Sequence, residues 1–386
     1  MKILHLYSNW KWTGPAEHAL NLSRELQRQG HTVVFACAPP PPEAPDSLAA
    51  RARQAGIDPI LRFYLSKHFA LRKNVVDLPR LCRFVQQERF DIVHTHLHND
   101  HLLAGMAVRL TGSRSAVVRT LYEGAGVSEG LRTRLLLGAM TDGLITISER
   151  TREQVIGRRY LSARKVWKID VPIDLERFHP DRVQSNRSRY NLSEEAVVGG
   201  IVARVQRHRR FEVLLQALEM VIREFPNFRF MIIGRGTAMQ DIAVKPAQAM
   251  GIRPNIIFTG YVQEEFPQTL ACLNFKVFLV PGSDGSCRAV REALALRIPV
   301  IASERGILPE LVTNGVDGLI IEDTPEALAR AMLFMIEHPD RRCMMAENAR
   351  QKALRLFDLE QQTKKVAAVY ETVARRACSS VFQRMP

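Results

Sequence analysis

The sequence predicts two α/β domains, each built on a doubly wound parallel sheet. Its 386 residues exceed what one hydrophobic core usually supports. In both halves, short apolar runs of strand length alternate with stretches long enough to hold crossover helices. A hydrophobic fraction of 46% and a charged fraction of 24% are those of an ordinary globular chain, which excludes a disordered protein.

The first half carries the strand pattern of one domain. The predicted strands are Leu4–Leu6, Thr32–Ala36, Ile92–Thr95, Ala116–Thr120 and Gly143–Ile147. A polar stretch from Asp181 to Ser193 follows, rich in Arg, Ser and Asn and without an apolar period. We therefore predict a first domain over residues 1–178 and a linker over residues 179–195.

The second half restarts the same rhythm over residues 196–357. The predicted strands are Val197–Ile201, Phe228–Ile233, Ile256–Thr259, Val277–Val280, Val300–Ala302 and Leu319–Ile321, and the predicted helices are Glu212–Glu224, Ala289–Leu296 and Pro325–Glu337. An amphipathic helix from Asp358 to Ala377 closes the chain. In two-lobed proteins of this plan, such a segment (358–386) can pack back on the first domain.

Composition predicts a cytosolic protein with an anionic partner. The opening segment from Met1 to Tyr7 is too short and too polar for a signal peptide, and no run approaches roughly 18 apolar residues. Six cysteines stand singly without a CxxC, which predicts neither a zinc site nor disulfides. The net charge of +14 suits acidic lipid or phosphorylated substrates. Nucleic acid is not predicted as a partner, because no nucleic-acid motif accompanies the charge.

A glycine opens the first predicted helix, just after the first strand, in the string Thr13-Gly14-Pro15-Ala16-Glu17. Because a helix N-terminus offers unpaired N–H groups, Gly14 lets a phosphate or sugar approach the backbone. An ordinary turn explains this glycine equally well. The GxGxxG spacing is missing, which counts against nicotinamide or flavin dinucleotides.

A basic loop from Ala203 to Phe211 follows the first strand of the second domain. Strands of doubly wound sheets present their carboxyl ends to the ligand crevice, so this loop faces the expected site. Arg204 and Arg209 can both reach one diphosphate and stabilise a leaving nucleoside diphosphate without a metal. The alternative is a solvated surface turn.

The most specific motif follows the predicted strand Val277–Val280. It reads P-G-S-D-G-S-C-R over residues 281–288 and opens a helix that carries Glu292. The loop amides from Gly285 to Arg288 can hold a phosphate, while Asp284 and Glu292 accept hydrogen bonds from sugar hydroxyls. A capping Asp or a solvent-facing Glu explains either carboxylate alone, but the whole string poorly.

In this string the chain resembles glycosyltransferase family 4, retaining enzymes of the GT-B fold, in which two Rossmann-like domains face a central cleft. The family carries Glu-x7-Glu where this chain has Asp284-x7-Glu292. The resemblance covers most of the chain. It includes G-P-A-E at 14–17, D-I-V-H-T-H at 91–96, D-G-L-I-T-I-S at 142–148, D-L-E-R-F at 174–178 and G-I-L-P-E at 306–310.

The resemblance implies a site for a nucleotide-sugar donor. Arg204 and Arg209 would hold the diphosphate, Glu292 would bind the ribose hydroxyls, and Asp284 would contact the transferred sugar. The residues implied as catalytic are Asp284, Arg204 and Arg209, those implied as donor-binding are Gly14, Tyr261, Val262, Gly285, Ser286, Cys287, Arg288 and Glu292, and those on the acceptor or sugar side are His96, Tyr122 and Glu123. The family uses no metal and no cofactor.

The chain departs from the family pattern at several of these positions. Arg209-Arg210 stand where Lys-Gly is usual, Asp284 is one methylene shorter than Glu, and Ser286-Cys287 replace Phe-Gly. The family often has a histidine near the transferred sugar where this chain has Leu121-Tyr122-Glu123.

Four histidines crowd one segment of the first domain: His94, His96, His98 and His101. His94 lies on a predicted strand, and the family uses no metal. We therefore predict core or acceptor-side roles for these side chains rather than a metal site.

These observations predict a metal-independent, retaining, hexosyltransferase-type enzyme. It would move a sugar from a nucleotide-diphosphate sugar to a glycan or lipid-linked acceptor, in cell-envelope polysaccharide or lipopolysaccharide-type synthesis. Two alternatives stay open. One is a catalytically altered GT-B protein acting as a basic membrane-surface module, and the other is a GT-B sugar-nucleotide epimerase.

One segment predicts contact with anionic lipid, which would make the protein peripheral on the inner face of the membrane. A solvated helix face explains it equally well. The segment interleaves basic and apolar residues: Lys67, Arg72, Lys73, Arg80, Arg83 and Arg89 with Phe69, Leu71, Leu78, Leu81 and Phe84.

Overall fold

The computed structural model describes residues 1–44, 46–124, 126–281 and 285–382, with side chains through residue 377. The chain divides into two compact units. The first comprises residues 1–172, 285–286 and 359–382, and the second comprises residues 173–281 and 287–358. Each unit has its own sheet and its own buried core.

The described strands of the first unit form a parallel sheet in the order β2-β1-β3-β4-β5-β6. These strands are β1 (Lys2–Tyr7), β2 (Thr32–Cys37), β3 (Ile92–Thr95), β4 (Ala116–Leu121), β5 (Gly143–Thr146) and β6 (Val166–Lys168). Most of their residues are buried, as expected for parallel strands with helices on both faces. The helices are α1 (Gly14–Arg28), α2 (Leu48–Gln54), α3 (Leu71–Glu88), α4 (His98–Thr111), α5 (Leu131–Met140) and α6 (Glu149–Gly157).

The second unit repeats this construction with the strand order β12-β11-β10-β7-β8-β9, again parallel. Its strands are β7 (Val198–Val202), β8 (Arg229–Ile233), β9 (Ile256–Gly260), β10 (Phe275–Phe278), β11 (Val300–Ser303) and β12 (Gly318–Ile321). The helices are α7 (Phe211–Glu224), α8 (Lys245–Ala249), α9 (Phe266–Leu270), α10 (Arg288–Ala295), α11 (Leu308–Leu311), α12 (Pro325–Glu337) and α13 (Pro339–Leu356).

Each sheet has a switch point, which is the pair of neighbouring strands from which later strands are added toward opposite edges of the sheet. It lies between β1 and β3 in the first unit and between β7 and β10 in the second. The loops that leave these neighbouring strands diverge and open a crevice at the carboxyl end of the sheet, where ligands of open α/β sheets bind.

Helix α14 (Leu359–Phe382) packs on the first unit although it ends the chain. Val366, Val369, Tyr370 and Val373 are buried in one cluster with Ile3 of β1. The helix therefore covers one face of the first sheet.

The predicted α/β fold class is confirmed. The strands predicted from apolar runs are present, with ends that differ by at most two residues; β10 is shifted at both ends and spans Phe275–Phe278 rather than Val277–Val280. Strand β6, Val166–Lys168, was missed because three residues are too few to show a period.

Residues 179–195, predicted as the linker, belong to the second unit. Arg187 anchors this stretch: its buried guanidinium donates to the carbonyl oxygens of Ser193, Glu194, Ala196 and Cys272. Asn186 and Tyr190 of the same stretch hydrogen-bond Thr269, so polar contacts hold residues 179–195 to the second unit.

Candidate active site

The switch point of the second unit brings together the loops after β7 and β10. Arg209 lies in the short helical turn Arg207–Arg209, and its Nη1 donates to the carbonyl oxygen of Val280 at 2.6 Å. Burial lowers the pKa of the Arg209 guanidinium, and the positive charge of Arg204 lowers it further. An arginine nevertheless stays protonated in proteins. Two guanidinium charges therefore lie close enough to repel each other at this edge of the sheet.

Two glycines let the β7 loop approach the loop after β8. A Cβ on Gly234 would clash with the carbonyl oxygen of Ala203, and one on Gly236 would clash with that of Val205. Between them, the Arg235 guanidinium lies 4.7 Å from the centre of the Tyr261 ring. Tyr261 and Val262 were predicted from the sequence as donor-binding residues, but Arg235 was not. These three residues follow β8 and β9, one and two strands away from β7.

The loop after β10 leads into α10, which carries Glu292. The Glu292 side chain is buried, and Arg288 Nε donates to its Oε1 at 2.6 Å. Ser286 and Cys287 are buried next to the helix start. Cys287 has φ of +48°, a left-handed conformation that favours glycine, which accounts for the glycine of the family pattern at this position. Asp284 lies outside the described residues.

Lys276 was not predicted as a site residue, although it lies on the strand that leads into this loop. Lys276 is fully buried on β10, and its ammonium group donates to the carbonyl oxygen of Ala289 in the first turn of α10. Burial lowers its pKa to about 7, against the opposing pull of Glu292 and Cys287. A lysine inside an apolar run is the only sequence signal that marks it.

The switch point of the first unit joins the loops after β1 and β3 through Asp100. This buried carboxylate accepts from Ser8 N and from Leu97 N, both at 2.8 Å, and so caps α4 while holding the β1 loop. Burial raises the pKa of Asp100 to about 7. Gly14 begins α1 in the loop after β1, where the Thr13 side chain caps the helix.

His96 and Tyr122 meet at the carboxyl ends of β3 and β4. The Tyr122 hydroxyl lies 3.0 Å from His96 Nδ1 and 2.7 Å from Nδ1 of His18, a residue that the sequence analysis did not single out. His5 Nδ1 lies 3.0 Å from His96 Nε2. The sheet register places His5 opposite His94, so this cluster spans three strands and α1.

Glu123 belongs to a second polar cluster beside Tyr122. Its carboxylate lies 3.2 Å from His98 Nε2, and His98 Nδ1 lies 3.0 Å from Nη2 of the buried Arg119. Burial raises the pKa of Glu123, but the His98 hydrogen bond and the Arg119 charge outweigh it, so the net shift is downward. Glu123 is therefore a carboxylate at neutral pH. Gly285, which belongs to this unit by its contacts, packs so tightly that a Cβ would clash with the Tyr122 carbonyl oxygen.

Three histidines of the first unit come close enough for their ring nitrogens to share an ion: His5, His94 and His96 lie within 4.8 Å of one another. Both nitrogens of His94 already have partners, Tyr370 Oη at 2.6 Å and Thr120 Oγ1 at 2.8 Å. Burial holds the pKa of His94 well below its ordinary value. The contacts describe neutral, hydrogen-bonded rings. His101 likewise bonds Thr95 and Thr141.

Two doubly wound sheets in succession, with charged and polar side chains at both switch points, define the GT-B class of glycosyltransferases. Family comparisons agree: the model of Glycosyltransferase Family 4 matches residues 12–177, and that of Glycosyl transferases group 1 matches residues 183–352. The chain belongs to glycosyltransferase family 4, as its motifs predicted, and is a glycosyltransferase.

Curated relatives match most of the chain at low identity. A UDP-Gal:alpha-D-GlcNAc-diphosphoundecaprenol alpha-1,3-galactosyltransferase of Escherichia coli is 24% identical over 79% of this chain and 81% of its own length. A phosphatidyl-myo-inositol mannosyltransferase of Mycobacterium tuberculosis is 24% identical over 94% of this chain and 93% of its own.

Solved structures show the same fold. HepE of Anabaena in complex with UDP superposes with a TM-score of 0.80 at 17% identity, covering 96% of this chain and 100% of HepE. The lipopolysaccharide outer core galactosyltransferase WaaB gives a TM-score of 0.72 at 15% identity, covering 96% and 99%.

Among the described residues, helices long and apolar enough to cross a bilayer are absent.

Proposed function

We propose that the protein transfers a hexose from a nucleotide-diphosphate sugar to a glycan or lipid-linked acceptor, with retention of anomeric configuration and without a metal or cofactor. One observation carries the proposal: Arg209 is fixed against Val280 O, with Arg204 beside it, where the loops after β7 and β10 diverge. The HepE complex with UDP supports a nucleotide ligand for this fold.

Bond cleavage in such a donor leaves a nucleoside diphosphate with growing negative charge. Two permanent positive charges on one loop are suited to stabilise that charge, the task that a metal ion performs in other transferases. Because Arg209 is already held by Val280, little reorganisation accompanies the reaction. Glu292, buried and held by Arg288, is a rigid acceptor for two neighbouring ribose hydroxyls.

The acceptor side is supported by the relatives. The Escherichia coli enzyme acts, by its name, on a diphosphoundecaprenol-linked sugar, and the mycobacterial enzyme on phosphatidyl-myo-inositol. Both names describe lipid-linked acceptors. A protein that uses such an acceptor works at a membrane surface, where the acceptor headgroup is found.

An apolar–basic patch on the first unit fits this role. It consists of the exposed apolar residues Phe69, Leu71 and Val75 and the exposed basic residues Lys67, Arg72 and Lys73. Leu71 and Val75 are 66% and 62% exposed, unusual for aliphatic side chains on one helix face. Apolar residues ringed by lysine and arginine suit insertion at an anionic lipid surface.

The patch is smaller than the sequence predicted. Leu81 and Phe84 are buried in the core of the first unit, and Leu78 packs against it. Leu81 and Phe84 lie on the face of α3 that packs into the core, whereas Leu71 and Val75, in the first turns of the helix, have exposed side chains. Helical periodicity thus divides the predicted lipid-facing residues between core and surface.

The donor half of the proposal is tested with calorimetry on a panel of UDP-, GDP- and ADP-sugars in EDTA, followed by anomer analysis of the product. Arg209→Met is expected to reduce kcat by roughly a hundredfold or more, the usual loss for one donor to a developing anion. Arg209→Lys should fall between, since it keeps the charge but not the fork. Arg223→Met, on the exposed face of α7, is the matched control. Full activity in Arg209→Met would refute the proposed role.

The membrane half is tested by sedimentation with liposomes of anionic and zwitterionic lipid. The Leu71→Asp/Val75→Asp double variant should lose binding to anionic liposomes, whereas Met344→Asp, at an exposed methionine of the second unit, should retain it. Equal binding of both variants would contradict the patch as the membrane contact.

A further inference from the structure

Three charged or polar side chains of the first unit form a triad: Arg119 on β4, His98 at the first position of α4, and Glu123 in the loop after β4. Arg119 Nη2 lies 3.0 Å from His98 Nδ1, and His98 Nε2 lies 3.2 Å from Glu123 Oε1. Arg119 is only 3% exposed, whereas the side chains of His98 and Glu123 are 61% and 39% exposed. The triad therefore begins in the core and ends at the surface, at the carboxyl edge of the sheet.

Arginine fixes the positions of the protons in the triad. Because a guanidinium can only donate, His98 Nδ1 accepts from Arg119. The proton of His98 therefore lies on Nε2, which faces the Glu123 carboxylate. An imidazolium, or the tautomer with its proton on Nδ1, would set an N–H against the guanidinium. Turning the ring over would place carbon atoms at both contacts. One protonation state thus satisfies both contacts.

The buried end of the triad is held in place. Among the described residues, the hydrogen bond to His98 is the only one that the Arg119 side chain makes, and its Nε has no partner. The carboxylate of Asp100 is bonded instead to the backbone N–H groups of Ser8 and Leu97. Leu97 directly precedes His98, so Asp100 fixes the backbone that carries the imidazole.

The surface end of the triad offers a fixed acceptor. The main-chain carbonyl oxygen of Glu123 accepts from Thr151 Oγ1 at 2.6 Å, and its Oε1 faces His98. The net lowering of its pKa keeps Glu123 ionised at neutral pH. Its second carboxylate oxygen, Oε2, has no partner among the described residues. A charged oxygen is thereby held in one place and left available to a ligand.

Glu123 also lies next to the loop that follows β10. Gly285 of this loop packs on the main chain at both sides of Glu123: a Cβ on Gly285 would lie 2.1 Å from the Tyr122 carbonyl oxygen and 2.7 Å from Gly124 N. Gly285 directly follows Asp284 in the motif that the family resemblance assigns to the donor. The triad therefore ends beside the loop that is predicted to bind substrate.

We propose that Glu123 accepts a hydrogen bond through Oε2 from a hydroxyl group of the donor sugar or of the acceptor, and that His98 and Arg119 are positioning residues that hold this carboxylate in one orientation. A carboxylate suits hydroxyl groups because it offers only lone pairs. Fixing it in advance reduces the side-chain freedom that is lost on binding. The inference rests on the proposed function and adds to it residues that recognise a substrate.

The tautomer of His98 tests the positioning role. It is measured by NMR on the full-length protein labelled with 15N-histidine, with the signal assigned by its loss in His98→Gln. At about pH 7.5 we expect a proton on Nε2 alone. Arg119→Met should allow both tautomers, whereas Arg109→Met, at the other end of α4, should leave the signal unchanged. A proton on Nδ1 of His98 in the wild type would overturn the inference.

Glu123→Gln tests the substrate contact, because it keeps the size of the side chain and removes its charge. If the donor sugar is contacted, calorimetry in EDTA should show about ten- to hundredfold weaker binding of the sugar nucleotide, with unchanged binding of the nucleoside diphosphate. If the acceptor is contacted, both affinities stay and kcat/KM for the acceptor falls by that factor. The acceptors offered are diphosphoundecaprenol-linked GlcNAc and phosphatidyl-myo-inositol.

Glu88→Gln is the matched control. Glu88 is 41% exposed and pairs with Lys2 at the opposite edge of the same sheet, so its loss should change neither binding nor transfer. Equal donor binding and equal transfer in Glu123→Gln and the wild type would overturn the proposed contact.

Two substitutions of His98 test whether the contact depends on the triad. An asparagine amide can take the place of Nδ1 and accept from Arg119, but it does not reach Glu123. A glutamine amide can take the place of Nε2 and donate to Glu123. The constant that falls in Glu123→Gln should therefore fall about three- to tenfold in His98→Asn and stay within about twofold in His98→Gln. Equal values in the two variants would contradict the positioning role.

These outcomes separate the inference from the proposed function. A wild-type protein that neither binds a sugar nucleotide nor transfers a sugar contradicts the function, while the tautomer of His98 is read by NMR in either case. Transfer by the wild type, together with a proton on His98 Nδ1 or with an unaffected Glu123→Gln variant, contradicts the inference alone.

Discussion

Replacing Lys276 by methionine should change how the stability of the second unit depends on pH. Lys276 is fully buried, and its pKa falls from 10.5 to about 7 because burial disfavours the ammonium form. Methionine fills a similar volume without a titratable group. The carbonyl oxygen of Ala289, which accepts from Lys276, belongs to the first turn of α10 and keeps access to a helical N–H.

The sign and size follow from proton linkage. Between pH 7 and about 10, the unfolded chain keeps the Lys276 proton while the folded unit has lost it, so the free energy of unfolding of the wild type rises with pH. The slope relative to Lys276→Met is about 1.4 kcal/mol per pH unit. Over the whole interval the difference is on the order of 4–5 kcal/mol, and below pH 7 it stays constant.

The assay must report on the second unit, because a chain of two units need not unfold in one step. The three tryptophans, Trp10, Trp12 and Trp167, all lie in the first unit, so their fluorescence does not serve. Urea unfolding is therefore followed by pulse proteolysis, with mass spectrometry of peptides from residues 198–337, at pH 6.5, 7.5, 8.5 and 9.5, values chosen at about unit spacing across the window.

Lys245→Met is the control, since Lys245 is an exposed lysine of α8 in the same unit. Its profile should run parallel to that of the wild type over this pH window. Parallel profiles for Lys276→Met as well would refute the reasoning, because they would mean that Lys276 keeps an ordinary lysine pKa in the folded protein.

Three further substitutions test the packing around the two sites. Tyr370→Phe removes the hydroxyl bonded to buried His94 and should destabilise the first unit by about 1–3 kcal/mol, read from the loss of tryptophan fluorescence in urea; an unchanged midpoint would deny that bond. Lys352→Met leaves the carboxylate of Asp317 buried without its ammonium partner at 2.5 Å, and should cost about 3–5 kcal/mol by pulse proteolysis, with the double variant Lys352→Met/Asp317→Leu recovering stability. Ser148→Ala removes the N-cap of α6 and should cost about 1 kcal/mol, whereas Ser148→Asp should restore it; equal losses in both would exclude capping as the cause.

Local pattern determined most of the fold. Buried parallel strands are short apolar runs, so the strand Ile92–Thr95 could be located to the residue from the sequence alone, and helical periodicity did the same for the helix Pro325–Glu337. Motifs located the two loops at the second switch point, because glycine, arginine and carboxylate residues follow strand ends there. The motifs shared with glycosyltransferase family 4 indicated which family the chain belongs to, whereas hydrophobic patterning alone indicated only the fold class.

Long-range placement was decided only by the tertiary structure. His18 and Tyr122 are 104 positions apart, and His5 and His96 are 91 apart, so nothing local relates them. The register of β1 against β3 and the entry of α1 bring them together. Burial has the same origin: Lys276 reads as one charge in an apolar run, and only the sheet and α10 around it withdraw water and move its pKa. Side-chain contacts and the local dielectric environment depend on elements that are distant in sequence. The sequence therefore located the strands and loops, but not the hydrogen-bond partners and pKa shifts of the side chains on them.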